Sequence, residues 1–153
     1  MEYSFTCPDA ASTAERGAAL AGILKKGDVV LFFGDLGAGK TTFIRGLIRR
    51  LAGDDTDVVS PTFTLVQTYE TPKGVVYHYD LYRLGDDDTG AVVELGWDDG
   101  VVDGITLVEW SERLPPDFVP DALEVLIDAD DKGLRHIQFG GTEAWLKRLE
   151  QHI

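Results

Sequence analysis

The run Gly34-Asp35-Leu36-Gly37-Ala38-Gly39-Lys40-Thr41 decides the fold, because it fits the phosphate-loop pattern G-x-x-x-x-G-K-[ST] between a strand-like and a helix-like segment. On its N-terminal side, Asp28 to Phe33 is a short apolar, partly β-branched run bounded by glycines, the composition of a buried strand. On its C-terminal side, Phe43, Ile44, Leu47, Ile48 and Leu51 recur at helical spacing, with Arg45, Arg49 and Arg50 between them. Gly34, Gly37 and Gly39 permit the tight turn that gathers successive N–H groups around a triphosphate at the helix N-terminus, with Asp35, Leu36 and Ala38 completing the loop. Lys40 is then the point charge for the β and γ phosphates, the Thr41 hydroxyl a Mg²⁺ ligand, and Thr42 a further donor near the α phosphate. The expected ligand is a nucleoside triphosphate with Mg²⁺.

Upstream, Ser12-Thr13-Ala14-Glu15 has the form of a capping box and precedes Leu20, Ile23 and Leu24, which predicts a helix from about residue 11 to 25, ended by Gly27. Downstream, the extended runs Phe63 to Glu70 and Val75 to Asp80 flank Thr71-Pro72-Lys73-Gly74 and read as a β-hairpin. Ile105 to Glu109, Leu123 to Ile127 and Leu134 to Phe139 are further strands. A short helix from Thr142 to about Gln151 follows Gly140-Gly141, with Trp145, Leu146 and Leu149 on one face. No internal repeat or linker-like segment divides the chain, so residues 1–153 are expected to form a single domain. The order of elements predicts an α/β fold of the P-loop NTPase type. It is a three-layer sandwich with a mixed central sheet, to which the hairpin adds antiparallel strands.

Composition excludes several classes. A net charge of −13 and a pI near 4.4 argue against a broad phosphate-binding surface. DNA is therefore not an expected ligand, and any RNA contact is expected to be indirect, through a partner. The acidic groups Asp54-Asp55, Asp86-Asp87-Asp88, Asp98-Asp99 and Asp130-Asp131 read as solvated loops, without the spacing of a calcium loop. Cys7 is the only cysteine, which leaves no internal disulfide and no zinc set and fits a reducing cytosol. The N-terminus lacks the order of a signal peptide, and no apolar run approaches the roughly 20 residues needed to span a bilayer. A cytoplasmic protein without a membrane segment is expected.

A phosphate loop alone does not say what the nucleotide is for, and the acids narrow that question. Ile105-Thr106-Leu107-Val108-Glu109-Trp110 is an apolar strand ending in a carboxylate, the layout of a strand tip that serves a magnesium shell beside a phosphate loop. Glu109 there either touches Mg²⁺, reaches it through water, or positions the attacking water. Asp80, ending Val75 to Asp80, competes for or shares that work. His78, earlier on that strand, reads as a structural residue.

With these residues in view, Gly34 to Phe43, Ser60-Pro61-Thr62-Phe63-Thr64-Leu65-Val66, His78-Tyr79-Asp80-Leu81-Tyr82-Arg83-Leu84 and Val108-Glu109-Trp110 together resemble the TsaE family, formerly YjeE. The resemblance implies the ATPase of the bacterial machinery that makes threonylcarbamoyladenosine beside the anticodon of tRNAs reading codons that begin with A. It also implies the partners TsaB and TsaD, of which TsaD carries the transferase chemistry. By the same resemblance Thr41 and Glu109 are magnesium ligands and Asp80 an acid required for hydrolysis. Thr62 senses the γ phosphate, and Trp110 packs beside the nucleotide. Thr13 and Arg135 match family positions near the adenine and the phosphates.

Two other classes fit a phosphate loop. A small-molecule kinase needs an arginine-bearing lid, yet after Arg83 only Arg113, Arg135 and Arg148 remain, in unrelated segments. A regulatory GTPase selects guanine through an Asn-Lys-x-Asp motif, and this chain contains no asparagine. The expected reaction is in-line attack of water on the γ phosphate of ATP. No arginine is clearly placed as a finger, which predicts slow hydrolysis until a partner completes the site.

Overall fold

A computed structural model describes residues 3–34, 39–61, 64–81, 97–111 and 121–152, with only the backbone described for 98–100 and 152. The elements in chain order are β1 (Tyr3–Cys7), α1 (Ala10–Ala21), β2 (Val29–Phe33), α2 (Lys40–Ala52), β3 (Val66–Thr71), β4 (Gly74–Asp80), α3 (Trp97–Asp103), β5 (Ile105–Glu109), β6 (Leu123–Ala129), β7 (Arg135–Gly140) and α4 (Glu143–His152). The strands form one seven-stranded sheet in the order β1-β7-β6-β2-β5-β4-β3. Its centre, β6-β2-β5-β4, is parallel, whereas β3 on one edge and β7 and β1 on the other are antiparallel to their neighbours. The mixed α/β sheet agrees with the expected fold class.

Alternation along the strands divides the core in two. Val30 and Phe32 of β2, Val76 of β4, and Ile105 and Leu107 of β5 pack against Leu20 of α1, Phe43, Ile44, Leu47 and Ile48 of α2, and Trp145 and Leu149 of α4. Val29, Leu31, Tyr79 and Val108 face the other way, toward Trp97 and Val101 of α3. Each fully buried Leu or Ile contributes about 1.5–3 kcal/mol, so the larger cluster dominates the stability. Helices α1 and α2 meet closely because glycines leave room. A Cβ on Gly17 would lie 2.0 Å from the Phe43 carbonyl oxygen, and one on Gly46 would lie 2.2 Å from that of Ala14.

Boundaries differ from expectation where local chemistry was misread. The cap of α1 is Asp9, whose carboxylate accepts from the Ser12 N–H at 2.8 Å, while Ser12 rather than Glu15 supplies the return contact. The helix ends at Ala21, not near residue 25, because the hairpin turn reaches it. Lys73 Nζ donates to the carbonyls of Ala21, Gly22 and Leu24 at 3.1, 3.2 and 2.8 Å, satisfying the helix C-terminus. Strand β1 and helix α3 went unpredicted. Tyr3 to Cys7 does alternate, but α3 holds a glycine and several acids and is fixed by packing, with the Trp97 ring 5.3 Å from that of Tyr79. Asp98 and Asp99 accordingly belong to a helix and not to a loop. Among the described residues no helix is long and apolar enough to cross a membrane.

Candidate nucleotide site

The turn from β2 into α2 is built on glycines that no other residue replaces. Gly34 has φ +135°, and a Cβ there would lie 2.1 Å from the Ile127 carbonyl oxygen. Gly39, the N-cap of α2, has φ +110° and no side-chain cap among the described residues, and its helix presents the positive end of its dipole here. Asp35, Leu36, Gly37 and Ala38 lie outside the described residues, as does Thr62. Lys40 opens α2, is 5% exposed, and donates from Nζ to the Gly34 carbonyl at 2.8 Å. Its ammonium also lies 4.8 Å from the Trp110 ring centroid, within range of a cation–π contact.

Opposite this cation stand two carboxylates that strand pairing sets side by side. Asp80 ends β4, Glu109 ends β5, and the two are register partners in a parallel ladder. The period-two pattern places His78, Asp80 and Glu109 on the α2 side of the sheet, in step with Val76, Ile105 and Leu107. Asp80 and Glu109 are each 6% exposed, and His78 is 2% exposed. His78 Nε2 lies 2.8 Å from Glu109 Oε2. The register thus sets two buried acidic side chains on adjacent strand ends at one face of the sheet.

The strand tips run into strained backbone. Trp110, directly after Glu109, has φ 62°, and Leu65 has φ 69°. A large side chain in this region costs of order 1–3 kcal/mol and persists only where its surroundings hold it there. Leu65 is held by its N–H to the Pro61 carbonyl at 2.7 Å and by its own carbonyl, which accepts the Asp80 N–H at 3.0 Å. The Ser60 loop is thereby fastened to the strand end that carries Asp80.

These parts enclose a cleft of about 310 Å³ lined by Asp9, Ala10, Thr13, Gly39, Lys40, Thr41, Thr42, Ser60, Asp80, Glu109, Trp110, Gly133 and Arg135. Thr41 is exposed at the start of α2, and Thr42 is half-buried. Thr13, from α1, is buried and donates its hydroxyl to the Asp9 carbonyl at 3.1 Å. Arg135, at the start of β7, lies along Gly39, where a Cβ would come within 3.3 Å of its Nε. The described candidates thus come from α1, α2, β4, β5 and β7 to one place, with Gly34 just behind, bonded to Lys40. Asp9, Ala10 and Gly133 join them without having been expected. The Ser12 N–H, followed by the Ser12 hydroxyl, holds the Asp9 carboxyl below its ordinary range.

The residues present fit a magnesium nucleotide in one respect: the Thr41 hydroxyl and the carboxylates of Asp80 and Glu109 line one cleft with a helix N-terminus and a lysine. Among the described residues no cluster of three or more His, Cys, Asp or Glu side chains is able to hold a metal by itself. Mg²⁺ is commonly bound in just this sparse way, by one or two protein groups plus phosphate oxygens and water.

Comparison with known proteins agrees with this geometry. The family model described as "Threonylcarbamoyl adenosine biosynthesis protein TsaE" matches residues 7–137. Proteins named tRNA threonylcarbamoyladenosine biosynthesis protein TsaE are similar to the chain. That of Rickettsia felis is 43% identical over 116 residues, covering 76% of this chain and 67% of the relative. That of a Nostoc species is 39% identical over 133 residues, covering 85% and 80%. The crystal structure of Bacillus subtilis YdiB superposes with a TM-score of 0.76 at 28% identity, covering 99% of this chain and 93% of that one. On the match of the family model and of these relatives over most of its length, the chain belongs to the TsaE family.

Proposed function

We propose that this chain is the ATP-binding and ATP-hydrolysing subunit that supports threonylcarbamoyladenosine formation next to the anticodon in tRNAs reading codons that begin with A. It acts in the cytoplasm with TsaB and TsaD and meets tRNA only through them. The observation that carries the reading is the meeting, in one cleft, of the Lys40 ammonium at the start of α2 with the paired strand-end carboxylates Asp80 and Glu109. The names of the relatives supply the pathway.

In this reading Lys40 exchanges its bond to the Gly34 carbonyl for the β and γ phosphates, and the N–H groups at the start of α2 take the remaining oxygens. Thr41 and Glu109 would hold Mg²⁺. When bound, the ion neutralises charge on the β and γ phosphates and orients them for in-line displacement. Asp80, beside Glu109, orients the attacking water and accepts its hydrogen bond. Trp110 and Thr13 shape the cleft around the nucleoside, Arg135 adds positive charge beside Gly39, and Thr62 responds to the γ phosphate. No side chain becomes covalently modified.

Calorimetry with ATP and GTP, followed by phosphate release with and without TsaB and TsaD, tests this reading. The expected result is preferential ATP binding and slow hydrolysis that the partners accelerate. Transfer of the γ phosphate to a metabolite, with no release to water, would favour a small-molecule kinase instead.

A further inference from the structure

We propose that His78 is a positioning residue for Glu109, holding its carboxylate for the metal-bound nucleotide without itself touching that ligand. The inference rests on the reading of the cleft as a magnesium–nucleotide site and adds a residue behind it.

His78 Nε2 and Glu109 Oε2 are 2.8 Å apart in a buried contact. With Glu109 as a carboxylate, which has no proton to give, Nε2 is the donor of this contact. The second ring nitrogen, Nδ1, is buried and has no hydrogen-bond partner among the described residues. Burying an imidazole with one nitrogen unsatisfied costs free energy that an aliphatic side chain at this strand position would not incur. Neighbours on the same face, Val76 and Leu107, are aliphatic and fully buried. The polar contact that position 78 makes is with Glu109, so its polarity serves the carboxylate and not the core.

Register explains the reach. His78 pairs with Leu107, two residues before the Asp80 and Glu109 pair, so His78 and Glu109 are diagonal neighbours on one face of β4 and β5. Such neighbours lie about 7–8 Å apart at Cα, a gap that long side chains bridge. Glu109 lines the cleft and His78 does not. One oxygen of the Glu109 carboxylate is therefore held by His78 while the residue itself lines the cleft. Partners of this kind typically alter metal affinity by about 10–100-fold when removed.

The test is ATP affinity by calorimetry, in Mg²⁺ and in EDTA, for wild type, Glu109→Gln, His78→Leu and His78→Gln. A glutamine amide can donate from near the Nε2 position, whereas leucine cannot. In wild type, Mg²⁺ strengthens ATP binding. His78→Leu is expected to cut that gain by about tenfold and leave the EDTA affinity within about twofold, while His78→Gln restores most of the gain. In a Glu109→Gln background, His78→Leu is expected to add nothing further. If His78→Leu fails to fold, the more adaptable His78→Met replaces it in the same comparison. A gain that is lost in Glu109→Gln yet kept in His78→Leu overturns the inference alone. So does an equal loss in Mg²⁺ and EDTA accompanied by a lower Tm, the mark of simple packing. A wild type whose ATP affinity ignores Mg²⁺ overturns the underlying reading of the cleft, and the inference with it.

Discussion

Lys40 is a buried cation whose amine rests on the Gly34 carbonyl and beside the Trp110 ring, so its charge is already partly offset before any phosphate arrives. In the proposed role, nucleotide binding replaces that neutral acceptor with charged oxygens, and hydrogen bonds to charged groups are worth about 1.5–3 kcal/mol each. Lys40→Ala is therefore expected to weaken ATP binding by about 100-fold or more, read by calorimetry. In the proposed roles, Glu109→Ala and Asp80→Ala act on the reacting end. Each is expected to lower turnover by about 100-fold while changing ATP affinity by no more than about tenfold, and full turnover in both variants would sink their assignment. Thr41→Ala is expected to flatten the dependence of ATP binding on Mg²⁺, and unchanged metal affinity would count against a ligand role. Lys40, Thr41, Asp80 and Glu109 were legible in the sequence because loop spacing and strand ends announce them. His78 was not, since a lone histidine on a strand shows no partner until the β4–β5 register places Glu109 diagonal to it.

Helices α1 and α2 pack through backbone, and this contact positions both walls of the cleft. A Cβ on Gly46 would meet the Ala14 carbonyl oxygen at 2.2 Å and its Cα at 2.9 Å, so Gly46→Ala forces the helices apart. Overpacking of this sort costs about 1–3 kcal/mol, and a denaturation midpoint lowered to match is expected along with weaker ATP binding. The C-terminal helix is tied down differently. Arg148 forms a bidentate pair with Asp28 at 2.9 and 2.7 Å, donates to the Ile23 carbonyl at 2.8 Å, and stacks over Trp145 at 4.0 Å. At the start of α1, the depressed Asp9 carboxyl stabilises the fold only while it is ionised. The destabilisation caused by Asp9→Ala is thus expected to be fully present at neutral pH and to shrink as pH falls below about 4, measured by urea unfolding at several pH values. Strands β2, β4 and β5 were readable from apolar runs ended by glycine or acid. Helix α3 was not, because a Gly-containing, acid-rich heptamer owes its form to the Tyr79 and Trp97 contact and not to propensity.

In the whole molecule, parallel pairing of β2, β5 and β4 brings the glycine turn and both strand-end acids to the same edge of the sheet, where ligands of open α/β sheets bind. The family resemblance already set Thr13 and Arg135, 122 positions apart, near one nucleotide, but composition and periodicity alone did not, because their meeting depends on β7 pairing with β1 and β6. The net charge of −13 sets the expected mode of association with partners. A basic partner surface predicts that assembly weakens steeply as salt rises, whereas salt-independent assembly would point to an apolar interface. The central claim is that this edge is an ATP site whose hydrolysis serves the tRNA-modifying assembly. The measurement that tests it most directly is the rate of phosphate release by the protein alone and then with TsaB and TsaD, for wild type and Glu109→Ala. Stimulation by the partners that disappears in Glu109→Ala is the predicted result, and a rate indifferent to the partners, with no complex formed, would contradict it.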